Sequence, residues 1–240
     1  MGEAALPLGP EVWRVPTTPW DLINSFLFRD ADGQVTLVDT GLRNAPARIL
    51  AALAQIGAAP SEVTRIVVTH AHLDHAGGLA ELARRTGAAV AVHTADAEDL
   101  RHGTPPPLDP ATTAGRLIRR QAGFAAASVT EELRDGQVVD VGGGLRVVHT
   151  PGHTPGHVSL LHEPTRLLIT GDAIWNMRSR VTWPVLSFCT DVRLTKETAH
   201  VLGELDYDVV AFTHGPEIRD HAREAIRGFL SRPRGFRGGF

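Results

Sequence analysis

Apolar residues recur in two rhythms along this chain. Short β-type runs at Asn24–Phe28, Val35–Val38, Arg65–Thr69 and Ala88–Val92 predict strands. The turn Asp30-Ala31-Asp32-Gly33 separates the first pair. Arg65-Ile66-Val67-Val68-Thr69 has no polar alternation in its centre, which fits a strand covered on both faces. Between these runs, Ala45–Ile56 and Leu79–Arg85 read as helices closed by Gly57 and Gly87. The rhythm then lapses over 101–135. Pro105, Pro106 and Pro107 precede a stretch of weak periodicity, partly helical around Arg116–Ala127, which reads as an insertion between two halves. The second half is mostly strands, at Gln137–Val141, Leu145–His149, Val158–His162, Leu167–Thr170 and Val209–Phe212, before a terminal helix over Asp220–Leu230. Four of the runs end in a polar, ligand-type side chain: His70, the His149–His153 stretch, Asp172 and His214. Chemistry mounted at strand ends above a rigid sheet is a common way to build a site.

Composition narrows the class. The 240 residues suit one α/β domain spanning 1–240, and 42% hydrophobic with 21% charged residues is a globular balance. A formal charge of −3 gives no electrostatic reason to expect nucleic acid or an anionic membrane as partner. No run approaches the roughly 20 apolar residues of a membrane span. The opening Met1–Pro7 lacks the basic, apolar pattern of a secretory leader, so a cytoplasmic location and a small-molecule substrate are the expectation. The Arg- and Gly-rich segment 231–240 reads as a flexible, solvated tail. Cys189 is the single cysteine, which excludes an internal disulfide and any site of several thiolates; it reads as a small buried residue.

The unusual residue is histidine, with 12 copies. His70-Ala71-His72-Leu73-Asp74-His75 packs four potential metal ligands into six positions, a pattern that chance gives about once in 500 chains of this composition. On extended backbone His70 and His72 point the same way and can share one cation. Asp74 and His75 fall where a helix begins, point differently, and can serve a second. Gly77-Gly78 allows a tight turn beneath them. Three further segments carry donors: Thr150-Pro151-Gly152-His153-Thr154-Pro155-Gly156-His157, Gly171-Asp172 and Thr213-His214-Gly215.

These segments, in this order from Val38-Asp39-Thr40-Gly41 to His214-Gly215, resemble the metallo-β-lactamase superfamily of hydrolases. The resemblance implies an αββα four-layer sandwich, two mixed sheets flanked by helices. It implies that His70, His72 and His153 hold one metal, that Asp74, His75 and His214 hold a second, and that Asp172 bridges them. Asp39 and His157 would support the ligands from behind. All seven donors are N or O, which suits zinc best and permits iron or manganese. Two such ions activate a water between them for attack on a small ester, lactone or thioester, with Asp74 holding that water and passing its proton to the leaving group.

Within the family, Asp172 argues against antibiotic hydrolysis, since true metallo-β-lactamases generally lack that bridge. The chain is similar to glyoxalase-II-type thioesterases, although only 26 residues follow His214, too few for their C-terminal helical domain. It is similar also to acyl-homoserine-lactone lactonases, except that Trp175 stands where they place a tyrosine. Flavodiiron proteins carry Glu at the position of His72. An iron persulfide dioxygenase and an RNA-processing relative are the alternatives. Trp175, Met177, Arg178, Trp183 and Phe188 concentrate apolar surface after Asp172 and are the expected pocket lining, with Arg178 and Arg180 suited to an anionic group.

Overall fold

The computed structural model describes residues 3–117 and 121–232. One sheet holds seven strands in sequence order: β1 (Leu6–Gly9), β2 (Val12–Pro16), β3 (Asn24–Arg29), β4 (Val35–Val38), β5 (Val63–Val68), β6 (Ala89–His93) and β7 (Glu131–Leu133). Its first four strands pair antiparallel and β4 to β7 run parallel. A second sheet holds β8 (Val138–Val139), β9 (Leu145–His149), β10 (Val158–His162), β11 (Leu167–Ile169) and β14 (Val209–Ala211), in the order β14-β11-β10-β9-β8. A separate hairpin joins β12 (Trp175–Met177) to β13 (Arg180–Thr182).

The period-2 pattern explains why both sheets are covered twice. In β4, Val35 and Leu37 face an outer core while Val38 faces the other sheet; in β3, Leu27 faces out and Phe26 and Phe28 face in. The second sheet repeats this, with Val158 and Leu160 turned inward and Leu161 outward. The outer layer of the first sheet is α1 (Pro46–Gln55), α3 (Leu79–Thr86) and α4 (Ala97–His102), which bury Ile49, Leu53, Leu79, Leu82 and Leu100. The second sheet is covered by α7 (Ala222–Leu230), whose Ala222, Ile226, Phe229 and Leu230 recur at helical spacing. Short α2 (Leu73–Ala76), α5 (Thr113–Leu117) and α6 (Val192–Thr198) complete the helices. The layers are those of the expected αββα sandwich. Among the described residues no helix is long and apolar enough to cross a membrane.

The stretch 101–135 differs from expectation. Past the end of α4 at His102, Thr113–Leu117 is the one helical stretch among the described residues; residues 118–120 lie outside them, and 121–130 form no regular element. Phe124 and Ala127 donate their amides to the carbonyls of Gly103 and Leu100, so this alanine-rich segment bonds to the end of α4 instead of to itself. Glu131–Leu133 then joins the first sheet beside β6. Of the expected tail 231–240, only Ser231 and Arg232 are described.

Strands β4, β5, β6, β9, β11 and β14 all end at one edge of the sandwich. The two sheets are fastened there by Val158 N–H donating to the Thr69 carbonyl (3.0 Å) and Asn24 N–H donating to the Thr213 carbonyl (2.8 Å).

Candidate metal centre

Everything at this edge converges on Asp172. Gly171, at φ +54, turns the chain after β11. Asp172 N–H then donates to Nε2 of the buried His157 (2.6 Å), whose Nδ1 meets the Thr150 carbonyl at 3.0 Å. His157 can accept at Nε2 only when neutral; burial and then the nearby His153 push its pKa down to about 3. Thr213 Oγ1 donates to Asp172 Oδ1 (2.7 Å).

The two carboxylate oxygens of Asp172 face two different groups. Oδ2 lies 3.2 Å from His153 Nε2 and 4.0 Å from His70 Nε2; Oδ1 lies 3.3 Å from His214 Nε2 and 3.5 Å from His75 Nε2. On the first side, His72 Nδ1 sits 3.0 Å from His153 Nε2. On the second, Asp74 Oδ2 is 3.4 Å from His214 Nε2 and 3.7 Å from His75 Nε2. Three sets have donor atoms close enough to share an ion: His70, His72 and His153; His70, His75 and Asp172; and Asp74, His75 and His214. His70 Nε2 is fully buried with no hydrogen-bond partner, an atom that needs an electron-pair acceptor such as a cation. The donor set therefore fits metal ions.

The groups of the cluster set one another's charge. Burial disfavours protonated His75, His153 and His214, but Asp172 outweighs it, raising His153 to about 10 and His214 to about 9 and lifting His75 as well. His70 and His72 are pushed down by burial, His72 to about 3. Burial would raise Asp74 and Asp172; the adjacent imidazoles overcome it and hold both ionised.

Behind the cluster, the rings of His75, His214 and His153 each meet a supporting group. Asp39, itself at a strained φ of +58, places Oδ2 2.8 Å from His75 Nδ1 and accepts from both the amide and the hydroxyl of Thr69. His214 Nδ1 meets the Leu22 carbonyl at 2.6 Å, and His153 Nδ1 meets Cys189 Sγ at 3.4 Å. Cys189 is buried, as its lack of a motif suggests, but it touches a ring that the cluster needs.

The expected pocket residues divide. Trp175 lies with its ring 4.1 Å from that of His214, and Met177 is two residues on in the same strand. Arg178 is exposed at the hairpin turn with φ +52. Phe188 is exposed beside Cys189. Trp183 is not at the site: it packs on Phe229 of α7 at 4.8 Å, in the outer core. Its apolar neighbours in sequence gave no way to tell those two faces apart. Tyr207 is also remote, buried in that same core.

Sequence reasoning missed Asp96 and the carbonyl of Leu22. Asp96 follows the end of β6 as the other site residues follow theirs, and that strand-end position was the available signal. A main-chain carbonyl leaves none.

A two-sheet sandwich with a buried His/Asp cluster at one edge defines a metal-dependent hydrolase. The chain belongs to the Metallo-beta-lactamase superfamily, whose family model matches residues 18–214. It is similar to the "Probable metallo-hydrolase YybB" of Bacillus subtilis, 28% identical over 85% of this chain and 83% of that one. The human "Acyl-coenzyme A thioesterase MBLAC2" is 32% identical over 70% of this chain and 63% of its own length. A hydroxyacylglutathione hydrolase of Cereibacter sphaeroides is 34% identical over 64% of this chain; the chain spans about half of that relative, 48%. Among solved structures, a metallo-beta-lactamase family protein from Thermus thermophilus aligns with TM-score 0.69 and 26% identity over 94% of this chain and 80% of that one. The MIM-2 metallo-beta-lactamase aligns with TM-score 0.71 and 23% identity, covering 92% and 85%, a likeness of fold.

Proposed function

We propose that this chain is a dinuclear metallohydrolase that cleaves a small ester, lactone or thioester. The observation that carries the reading is the split of Asp172, with one oxygen toward His70 and His153 and the other toward His75 and His214. In this reading His70, His72 and His153 hold one ion, Asp74, His75 and His214 hold the other, and Asp172 belongs to both. Seven N and O donors favour zinc. Bound divalent ions supply Lewis acidity, lowering the pKa of water and polarising the scissile carbonyl.

The chain's own groups do the rest. Asp74 is the most exposed carboxylate of the cluster, with about a third of its side chain open (32%), and it is held ionised. It accepts a hydrogen bond from the attacking water and carries the released proton to the departing oxygen or sulfur. Asp39, Thr69, His157 and Thr213 fix the rings and the central carboxylate so that little reorganisation accompanies the reaction. Likeness to the human acyl-coenzyme A thioesterase and to the hydroxyacylglutathione hydrolases supports thioesters within this class.

Elemental analysis of the purified protein, followed by a thioester, lactone and aryl-ester panel, tests the reading. Two zinc ions per chain with hydrolysis is the expected result. His72→Ala and Asp172→Ala each lose metal and turnover together; full activity in both overturns the assignment. One iron with oxygen uptake replaces it with redox chemistry.

A further inference from the structure

Four rings of the cluster turn Nε2 toward Asp172 and are met from behind at Nδ1. Three of these supports are oxygens: the Thr69 hydroxyl behind His70 (3.1 Å), the Asp39 carboxylate behind His75 (2.8 Å) and the Leu22 carbonyl behind His214 (2.6 Å). The fourth is a sulfur, Cys189 Sγ, 3.4 Å from His153 Nδ1. An imidazole that offers Nε2 to an ion keeps its proton on Nδ1, and that N–H needs an acceptor. His153 and Cys189 are both buried, so bulk water does not supply one. Among the described residues, Cys189 Sγ is the hydrogen-bond partner of His153 Nδ1.

The main chain around Cys189 is tied to the turn that carries His153. Thr190 N–H donates to the His153 carbonyl (3.0 Å) and Asp191 N–H to the Gly152 carbonyl (2.8 Å). The same segment is held from its other side by Asp109, which lies in the insertion after α4. Asp109 N–H donates to the Cys189 carbonyl (2.8 Å), and Asp109 Oδ2 accepts from Val192 N–H (3.0 Å). Asp191 Oδ1 accepts from Leu194 N–H (2.8 Å) and starts α6 there. A cysteine that only fills space needs an enclosed side chain. Here the backbone on both sides of it is fixed as well, once to the ligand's own turn and once to a carboxylate 83 positions from its partner. Buried sulfur and ring nitrogen are thereby kept at one separation.

We propose that Cys189 is a positioning residue for His153: its sulfur accepts the Nδ1 proton and so aims Nε2, while Asp109 holds the sulfur in place. The insertion between the two halves thereby acts on one ion of the pair and not on the other. The inference rests on the dinuclear reading above and goes beyond it, because it separates the two ions by what stands behind their ligands. Sulfur is a weaker acceptor than oxygen. The effect therefore lies at the low end of the range for groups behind a metal-binding histidine, about tenfold in metal affinity.

The test loads the full chain with cobalt(II) and measures the affinity of each ion by chelator competition. Cys189→Ala removes the acceptor and should loosen one ion about tenfold, while the other binds as in the parent. Cys189→Ser keeps an acceptor and should recover most of that loss. In proton NMR of the cobalt form, Cys189→Ala should displace one exchangeable imidazole N–H resonance and leave those of the other rings where they were. Asp109→Ala should loosen the same ion. Combined with Cys189→Ala it should weaken binding by less than the two separate effects together, because Asp109 acts through the sulfur. Two ions loosened alike, or serine as damaging as alanine, would make Cys189 a packing residue and overturn the proposal. Full additivity of Asp109→Ala and Cys189→Ala overturns the part assigned to the insertion. If the parent binds a single ion, the dinuclear reading fails; the positioning role then stands if that ion's affinity falls in the order cysteine, serine, alanine, and is lost if it does not.

Discussion

Asp96→Asn removes one charge and one acceptor from the joint between the two histidine loops. Asp96 is buried and accepts three hydrogen bonds: Ala71 N–H (2.9 Å) and Thr154 Oγ1–H (2.6 Å) on Oδ2, and Gly156 N–H (2.5 Å) on Oδ1. Ala71 lies between His70 and His72, and Thr154 follows His153, so one side chain sets the spacing of three rings. Asparagine keeps the shape but has a single acceptor oxygen. With that oxygen toward Ala71 and Thr154, its NH2 group confronts the Gly156 donor. A hydrogen bond to a charged group contributes about 1.5–3 kcal/mol, and an unsatisfied buried N–H costs about 1–3 kcal/mol. Against this, the variant no longer buries a charge. Burial is the largest influence on the Asp96 carboxyl and raises its pKa despite all three hydrogen bonds. The net expectation is a loss of about 1–3 kcal/mol at pH 7 in urea unfolding of the metal-free protein. Metal affinity, measured by chelator competition, falls about 10- to 100-fold. The pH dependence checks the sign. A carboxyl with a raised folded pKa binds its proton more tightly when folded, so its contribution is full below the unfolded value and is lost as pH rises through the folded one. Asp96→Asn should flatten that fall. Wild-type stability together with wild-type metal affinity would refute the role assigned to the joint.

Four further outcomes follow from the same geometry. Metal uptake at pH 7 should expel protons, because the metal-free protein holds His153 and His214 protonated up to about 10 and about 9; affinity should rise with pH to that range, and calorimetry in buffers of different ionisation enthalpy reads the release. Gly171→Ala strains a φ of +54 and sets its Cβ 2.5 Å from His157 Nε2; thermal unfolding and metal stoichiometry should both drop, and a variant that melts and binds like the parent contradicts the turn's role. Arg14→Met strands Glu217 and Asp21, its partners at 2.9 and 3.0 Å, and should cost about 3 kcal/mol in denaturant unfolding. Asp39→Ala frees the His75 ring and should weaken metal binding about 10- to 100-fold while leaving the far-UV spectrum unchanged; undiminished affinity would remove Asp39 from the site.

How much of this was legible depends on where each interaction is written. The strands were, because Leu145–His149 and Val158–His162 carry a pattern covered on both faces, and the sandwich needs little more. The seven donors were legible for a related reason: each follows a strand end, and the sheets bring those ends to one edge whatever the loops do. The irregular course of 121–130 was not legible, since alanine-rich sequence favours a helix and long-range partners, the carbonyls of Leu100 and Gly103 among them, divert it. Trp183 misled because a tryptophan five residues from Arg178 can turn toward either the site or α7, and the choice belongs to Phe229. The parts hardest to read are those in which the backbone does the work. The Leu22 carbonyl on His214, and the left-handed turn that aims it, leave no mark in side-chain identity. A Trp-Asp pair at φ +58 and +56 would pass as an ordinary loop in any sequence. It becomes informative only when Arg14 and Asn24, 203 and 191 positions from Glu217 and Gly215, are seen to hold that turn against the loop that follows β14.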